Sequence, residues 1–438
     1  MLSQYEKCKC LSYIFPHICH NIYTKSHRRD LKYWLDCSCN ILRLSNYTKN
    51  KNLTESNLLI KEFGKKLAKL AEKTYKYSPS PLDKNLDILG DIVGLNQLEK
   101  EFIGFFVRVD KYSFLMNFYT HIFGYRFESH TDFIATSLGV SEEKILKLIH
   151  PDGLLYTFGI LSDKSYSAMI ELTSWIKNIL NSQIDNHQDM IKTIIGKPIF
   201  ATLSLDDFPY ISQRQQVSKL LYNAVTHHEK GINILLYGKP GTGKTEFAKM
   251  LANQSDFKLY SIGEKNKDMF LNVEEARYTQ LVFANAALKD EKGSVLLFDE
   301  AEDIFSQSLF QQKSRVSKVG RNRLLENNPC PTIWTTNDIS SMDKAHLRRF
   351  SYIIHFVTPP LEVRENIWKH EFQKNNVEYD MMLINELAEN YNVPPAFINN
   401  AVRSMRLMEG TVDDLKMYLK EIELARDNGV HPHKIGFL

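Results

Sequence analysis

The segment INILLYGKPGTGKTEFAKMLA, residues 232–252, constrains the fold more than any other part of the chain. It reads as an apolar strand, a glycine-rich loop and a helix in immediate succession. That is the setting in which G-x-x-x-x-G-K-[ST] wraps a phosphate chain. Ile234 to Tyr237 form the buried strand. Gly238, Pro240, Gly241 and Gly243 give a tight turn, with Lys239 and Thr242 between them, and the backbone N–H groups can then face inward toward the α- and β-phosphates. The helix starting near Lys244, with Glu246 in its first turn, aims its positive end at the same place. Lys244 is placed to reach the β- and γ-phosphates, and Thr245 to hold Mg²⁺. Gly238 through Glu246 are therefore expected to contact ATP.

Such a loop alone only binds. About fifty-five residues beyond Lys244 comes GSVLLFDEAEDIF, in which Val295 to Phe298 read as a second buried strand. Asp299 stands at its C-terminal end, where open α/β sheets place their ligands, and is expected to bind Mg²⁺ through water. Glu300 follows and suits a general base for the attacking water. Glu302 and Asp303 read as surface acids on the next helix. A third strand, Thr332 to Thr336, ends in Asn337, a polar group able to orient the lytic water or touch the γ-phosphate. Eleven and twelve residues beyond Asn337, Arg348 and Arg349 precede a fourth strand, Tyr352 to Phe356. Paired arginines invite a reading as surface charge, but their spacing from Asn337 argues for a role in the site.

In that order the four motifs resemble those of the AAA+ ATPases. GKPGTGKT resembles Walker A, with Lys239 where proline is common, and LLFDEAEDIF resembles Walker B. TIWTTND is similar to the sensor-1 strand and LRRF to the arginine-finger box. The resemblance covers roughly Asp206 to Asn428. It implies an α/β P-loop sheet (the AAA+ large subdomain) over 206–358 and a small all-α lid over 359–428, with a tail at 429–438. It also implies a homo-oligomeric ring, usually a hexamer, in which Arg348 and Arg349 reach the γ-phosphate held by a neighbouring subunit. Two departures stand out. The usual sensor-2 position falls near Ala396–Phe397, with no arginine; Arg403 and Arg406 lie later. The aromatic pore loop of threading members would fall on GEKNKDMFLNVEEARY, where Phe270 lacks the usual following glycine; otherwise Phe270 packs against the helix 274–287.

Ahead of the ATPase part, the sequence predicts a mainly α domain over 51–205. NLTESNLLIKEFGKKLAKLAEKTYKY reads as a helix with Leu59, Ile60, Phe63, Leu67, Leu70 and Ala71 near one face, and Thr54 as a candidate cap. Lys61, Lys65, Lys66, Lys69 and Lys73 make its other face basic, which reads as a solvated outer face or a membrane-surface helix. Near 125–161 the pattern helix, turn at Gly139, helix, then strand-like LLYTFGIL resembles a winged helix. Ser141-Glu142-Glu143 opens the second helix, which suits the helix dipole and ill suits a phosphate backbone. The upstream domain looks like that of a little-characterised bacterial group of AAA ATPases in which a second ATPase module often follows; with the sequence ending at HPHKIGFL, no second module is expected within it.

Residues 1–50 show no clean periodicity and are expected to be a poorly ordered, basic, Cys-rich leader. Five of the six cysteines lie there (Cys8, Cys10, Cys19, Cys37 and Cys39), at spacings unlike a zinc knuckle. A net charge of +3 over 438 residues neither demands nor excludes nucleic acid. No apolar run approaches the ~20 residues of a membrane span, and no secretion signal is evident, so a cytoplasmic location is expected. The expected activity is Mg-dependent ATP hydrolysis coupled to remodelling of an unidentified protein partner. Two alternatives stay open: a nucleic-acid-associated ATPase using the winged-helix-like segment, and a slow nucleotide-switched scaffold.

Overall fold

A computed structural model of the chain describes residues 2–20, 25–42, 57–124, 130–162, 170–201, 203–263, 273–305, 324–340 and 342–428. Phe270, Thr54 and the tail 429–438 lie outside them. The chain divides into two compact units: Met1–Ile195 with Lys265–Ala287, and Gly196–Glu264 with Leu288–Leu438. This differs from the expected boundary at 205/206 for two physical reasons. The connector after Gly196 joins the second unit, because Ile199 N donates to Leu259 O at 2.8 Å and Ile199, Ala201 and Leu203 pack on that unit's core. The helix Val273–Leu288 joins the first, because Gln280 Nε2 donates to Ile194 O at 3.3 Å and Thr279 sits against Gly159.

The first unit is helical, and its opening residues correct the expectation of a poorly ordered leader. They form α1 (Gln4–His20) and α2 (Lys25–Leu42). Cys8, Cys10, Leu11, Tyr13, Ile14, His17 and Ile18 of α1 are buried, as are Leu31, Trp34 and Leu35 of α2. Cysteine, tyrosine and histidine here take core positions, which hid the helical period from a reading based on aliphatic residues. Among the described residues no group of three or more His, Cys, Asp or Glu is placed to hold a metal ion. α3 (Asn57–Ala71) lays Ile60, Phe63, Leu67 and Ala71 into the core, and a Cβ on its Gly64 would meet Cys19 Sγ at 2.5 Å, so α1 and α3 pack closely there. α4 (Pro81–Val93) starts at a Ser80 cap, and α5 (Gln97–Lys111) starts at a capping box of Asn96 and Glu99. Arg108 of α5 is fully buried. It donates to Glu6 through Nε at 2.9 Å and Nη2 at 3.0 Å, and Nη2 also pairs with Asp83. That pairing ties α1 to the start of α4.

α6 (Ser113–Phe123) leads to α7 (Thr131–Leu138) and α8 (Glu142–Leu148), joined through Gly139 at φ 66°. The expected helix–turn–helix is present, with Ile134, Ala135, Ile145 and Leu148 buried between its helices and the surrounding core. The strand expected at 154–161 is not. Leu154–Thr157 form a short helix, α9, and only Leu161 bridges Leu172 in antiparallel fashion. The run LLYTFGIL is too short for periodicity to separate strand from buried helix. Gly159, at φ 57°, ends the turn instead. α10 (Ser174–Asn181) and α11 (His187–Ile194) follow, and the helix Val273–Leu288 noted above is α12. Among the described residues no helix is long and apolar enough to cross a membrane.

The second unit carries a five-stranded parallel sheet in the order β2-β3-β4-β1-β5. The strands are β1 (Asn233–Gly238), β2 (Lys258–Ile262), β3 (Ser294–Phe298), β4 (Thr332–Thr336) and β5 (Tyr352–Phe356). β3 and β4 are buried along their whole length, β3 as a largely apolar run and β4 with three threonines among its five residues. Because all strands run the same way, the C-terminal ends of β3, β4 and β1 lie side by side at one edge. A helical segment, the expected lid, follows: α13 (Leu361–Lys374), α14 (Met381–Asn390), α15 (Pro395–Leu407) and α16 (Val412–Asn428). It has its own core around Trp368, Phe372, Ile384, Leu387, Ile398 and Val402.

Candidate active site

The phosphate loop leaves β1 at Gly238 and enters the helix Lys244–Asn253, α17, at Gly243. Three loop glycines have positive φ: Gly238 at 148°, Gly241 at 77° and Gly243 at 95°. A side chain is excluded most strongly at Gly238, where a Cβ would stand 2.1 Å from Phe356 O on the neighbouring strand. At Gly241 it would press on Pro394 and Ala396 of the lid, at 3.1 and 3.3 Å. Gly238→Ala is therefore expected to lower stability by of order 1–3 kcal/mol or more, read as an earlier urea transition. A variant that melts like wild type would contradict the close strand approach.

The loop's side chains meet the expected acids. Lys244, 7% exposed, donates through Nζ to Gly238 O at 2.7 Å, Lys239 O at 3.0 Å and Asn337 Oδ1 at 2.8 Å. Burial pulls its pKa below the ordinary lysine value, while the charges of Asp299, Glu302 and Glu300 oppose that pull. Thr245 Oγ1 lies 3.1 and 3.0 Å from the two carboxylate oxygens of Asp299. Asp299 thus links the end of β3 to the start of α17, and Asn337 links the end of β4 to the phosphate loop.

Glu300 stands at φ 52°, in the left-handed region that non-glycine residues rarely occupy. β4 holds it there. Thr335 Oγ1 accepts from Glu300 N at 2.9 Å and donates to Asp299, and Thr335 O accepts from Ala301 N at 2.8 Å. An unfavourable backbone conformation fixed by several partners is typical of functional turns. The Glu300 side chain is exposed at the mouth of the site. Glu302, read from the sequence as a surface acid, instead accepts from Asn337 N.

These groups line a cavity of about 610 Å³, a size typical of small-ligand sites. Gly241, Gly243, Lys244, Thr245, Glu246, Asp299, Glu300, Thr335 and Asn337 form the side at the glycine loop and strand ends, where phosphates are expected. Phe208 and Tyr210 lie on the segment leading into the sheet, and Asn366, His370, Glu371, Ala396, Asn399 and Asn400 come from the lid. Sequence reasoning missed Thr335 and the lid residues. Thr335 had a signal, a hydroxyl two residues before Asn337 at the same strand end. The lid residues had none, because their spacing is that of any amphipathic helix. Ala396 does line the cavity, whereas Arg403 and Arg406 are exposed on α15 and do not. Arg348 and Arg349 also stay outside the cavity of their own chain: Arg348 is exposed, and Arg349 Nε donates to Glu326 Oε1 at 2.7 Å.

The residues fit a nucleoside triphosphate with Mg²⁺. The glycines let the loop run tight against Phe356, Pro394 and Ala396, Lys244 supplies positive charge, and Thr245 with Asp299 supplies the hard oxygen donors that Mg²⁺ prefers. A phosphate-wrapping loop beside an acid pair and a polar strand end defines a P-loop nucleoside-triphosphatase site. Residues 234–358 match the family described as "ATPase family associated with various cellular activities (AAA)". The chain therefore carries an AAA ATPase domain. It is 27% identical over 229 residues to proteasome-activating nucleotidase 2 of Haloferax volcanii, covering 48% of this chain and 54% of that protein. It is 31% identical over 168 residues to proteasome-activating nucleotidase 1 of the same organism, covering 36% and 40%. It is 31% identical over 220 residues to ATPase family AAA domain-containing protein 3-B of Xenopus laevis, covering 49% and 35%. The chain thus spans about half or less of the length of these relatives.

Proposed function

We propose that the second unit hydrolyses ATP with Mg²⁺ and that the chain uses this hydrolysis to remodel a protein partner, as a cytoplasmic ring of identical subunits. The observation that carries the hydrolytic part is the Thr335-held turn, which places Asp299 against Thr245 and sets Glu300 beside it at the mouth of the phosphate side. Lys244 and the loop N–H groups hold the phosphates and take up the charge that develops on them. Thr245 and Asp299 would hold Mg²⁺, which would supply positive charge against the phosphates when bound. Glu300 takes the proton of the attacking water, and Asn337 orients that water or the γ-phosphate. Arg348 and Arg349, outside their own cavity, suit a role at the site of a neighbouring subunit. The lid residues on the cavity wall give nucleotide state a route to motion of the lid. Protein remodelling and the ring rest on the family resemblance. The names of the Haloferax volcanii relatives agree with the protein part, since those proteins activate proteasomes.

The test is phosphate release by the full chain with Mg²⁺ and with EDTA, each with and without a permanently unfolded protein such as casein. Turnover is expected to need Mg²⁺ and to rise several-fold with casein. Turnover indifferent to EDTA would overturn the metal assignment. Turnover indifferent to casein would count against protein remodelling while leaving ATP hydrolysis intact.

A further inference from the structure

The chain's positive charge is concentrated at one end. Residues 1–76 hold 15 Lys and Arg against 6 Asp and Glu, whereas the other 362 residues hold 40 against 46. The densest part is α3 and the 3₁₀ turn Glu72–Lys76 that extends it, with six lysines against two glutamates between residues 57 and 76. Lys61, Lys65 and Lys69 recur every four residues, about 6 Å apart along the helix. Lys73 continues the series into the 3₁₀ turn, and all four are exposed. No described carboxylate forms an ion pair with any of these four. Tyr75, at the end of the row, is 80% exposed, and Tyr77 beside it is 38% exposed.

From this surface we infer a binding site for single-stranded nucleic acid, separate from the ATPase site and from the helix–turn–helix. A row of lysines about one helical turn apart can neutralise successive phosphates of a polymer, which a compact pocket would not do. An exposed aromatic ring at the end of such a row offers a face on which an unpaired base stacks, whatever its sequence. The helix–turn–helix lacks this chemistry, because α8 opens with Glu142 and Glu143, both exposed. A membrane surface fits less well. A helix lying in a bilayer interface needs a free apolar face, and α3 has Ile60, Phe63, Leu67 and Ala71 buried in the domain core. An acidic protein would use the lysines and leave the tyrosines without a role.

The experiment is fluorescence anisotropy of a labelled 20-nucleotide oligo-dT with the full chain, titrated across a series of KCl concentrations. The comparison variants are Lys61→Gln/Lys65→Gln/Lys69→Gln, the same three positions changed to Arg, and Tyr75→Ala. Wild type is expected to bind with a steep salt dependence. The Gln variant should bind about ten-fold more weakly, with a log–log salt slope shallower by about two, as three lost phosphate contacts on a single strand require. The Arg variant should bind like wild type, and Tyr75→Ala should weaken binding without changing the salt slope. If the Gln variant fails to fold by circular dichroism, the Arg and Tyr75→Ala results decide. No binding by wild type at low salt would overturn the inference, as would a Gln variant that binds like wild type. Tighter binding to polyglutamate or to phosphatidylserine vesicles than to oligo-dT would overturn it too, and would point to the acidic-protein or membrane reading.

Discussion

Glu300→Gln is expected to lower ATP turnover by about 10²–10⁴-fold while ATP affinity stays essentially unchanged. Gln keeps the size of the side chain and tolerates the same left-handed backbone. The Thr335 hydroxyl and carbonyl still meet the turn, and Asp299 still meets Thr245. Only the basic carboxylate is lost. Fluorescent-nucleotide binding and phosphate release, measured on the same preparation, separate the two effects. Loss of affinity in parallel with turnover would mean that Glu300 serves the binding geometry rather than the proton transfer.

Arg348→Ala with Arg349→Ala is expected to cost about 10³-fold in turnover, although neither side chain lines the cavity of its own chain. The effect is expected because Arg348 is exposed, and because Arg349 is held only by an exposed pair with Glu326 and by the carbonyl of Ala345. Such a surface pair contributes little to stability, so the guanidinium is available to a partner site at small cost. Wild-type turnover per subunit should then rise with protein concentration, and turnover of the variant should stay flat and low. A variant that retains wild-type turnover at every concentration would place the arginines on a plain charged surface.

The parts of the molecule that were legible in the sequence are those where chemistry dictates residue type at a strand end. Gly238, Lys244, Asp299 and Asn337 could be read because the proposed phosphate and Mg²⁺ chemistry leaves few substitutes at those points, and the structure brings all four to one edge of the sheet. The four strands expected from apolar runs are present to within a residue at each end, and β2, which went unread, completes the sheet. Where the sequence misled, packing rather than chemistry set the outcome. α1 looks like a disordered leader because its buried face is built from Cys8, Cys10, Tyr13 and His17, and only the fold shows those side chains as core. Residues 154–157 coil because Gly153 caps them and Gly159 ends them, a choice that an apolar run of eight residues does not encode. Glu302 looked like a surface acid because its partner, the backbone N–H of Asn337, lies on another strand's end.

The most direct test of a site completed by a neighbouring subunit is to mix two inactive variants, Glu300→Gln and the Arg348→Ala/Arg349→Ala double variant. In the mixture an intact Glu300 can face arginines supplied by an adjacent Glu300→Gln subunit. Turnover well above that of either variant alone is the expected result. A mixture no more active than its parts, from chains that both bind ATP and co-assemble, would contradict hydrolysis by arginines supplied between subunits.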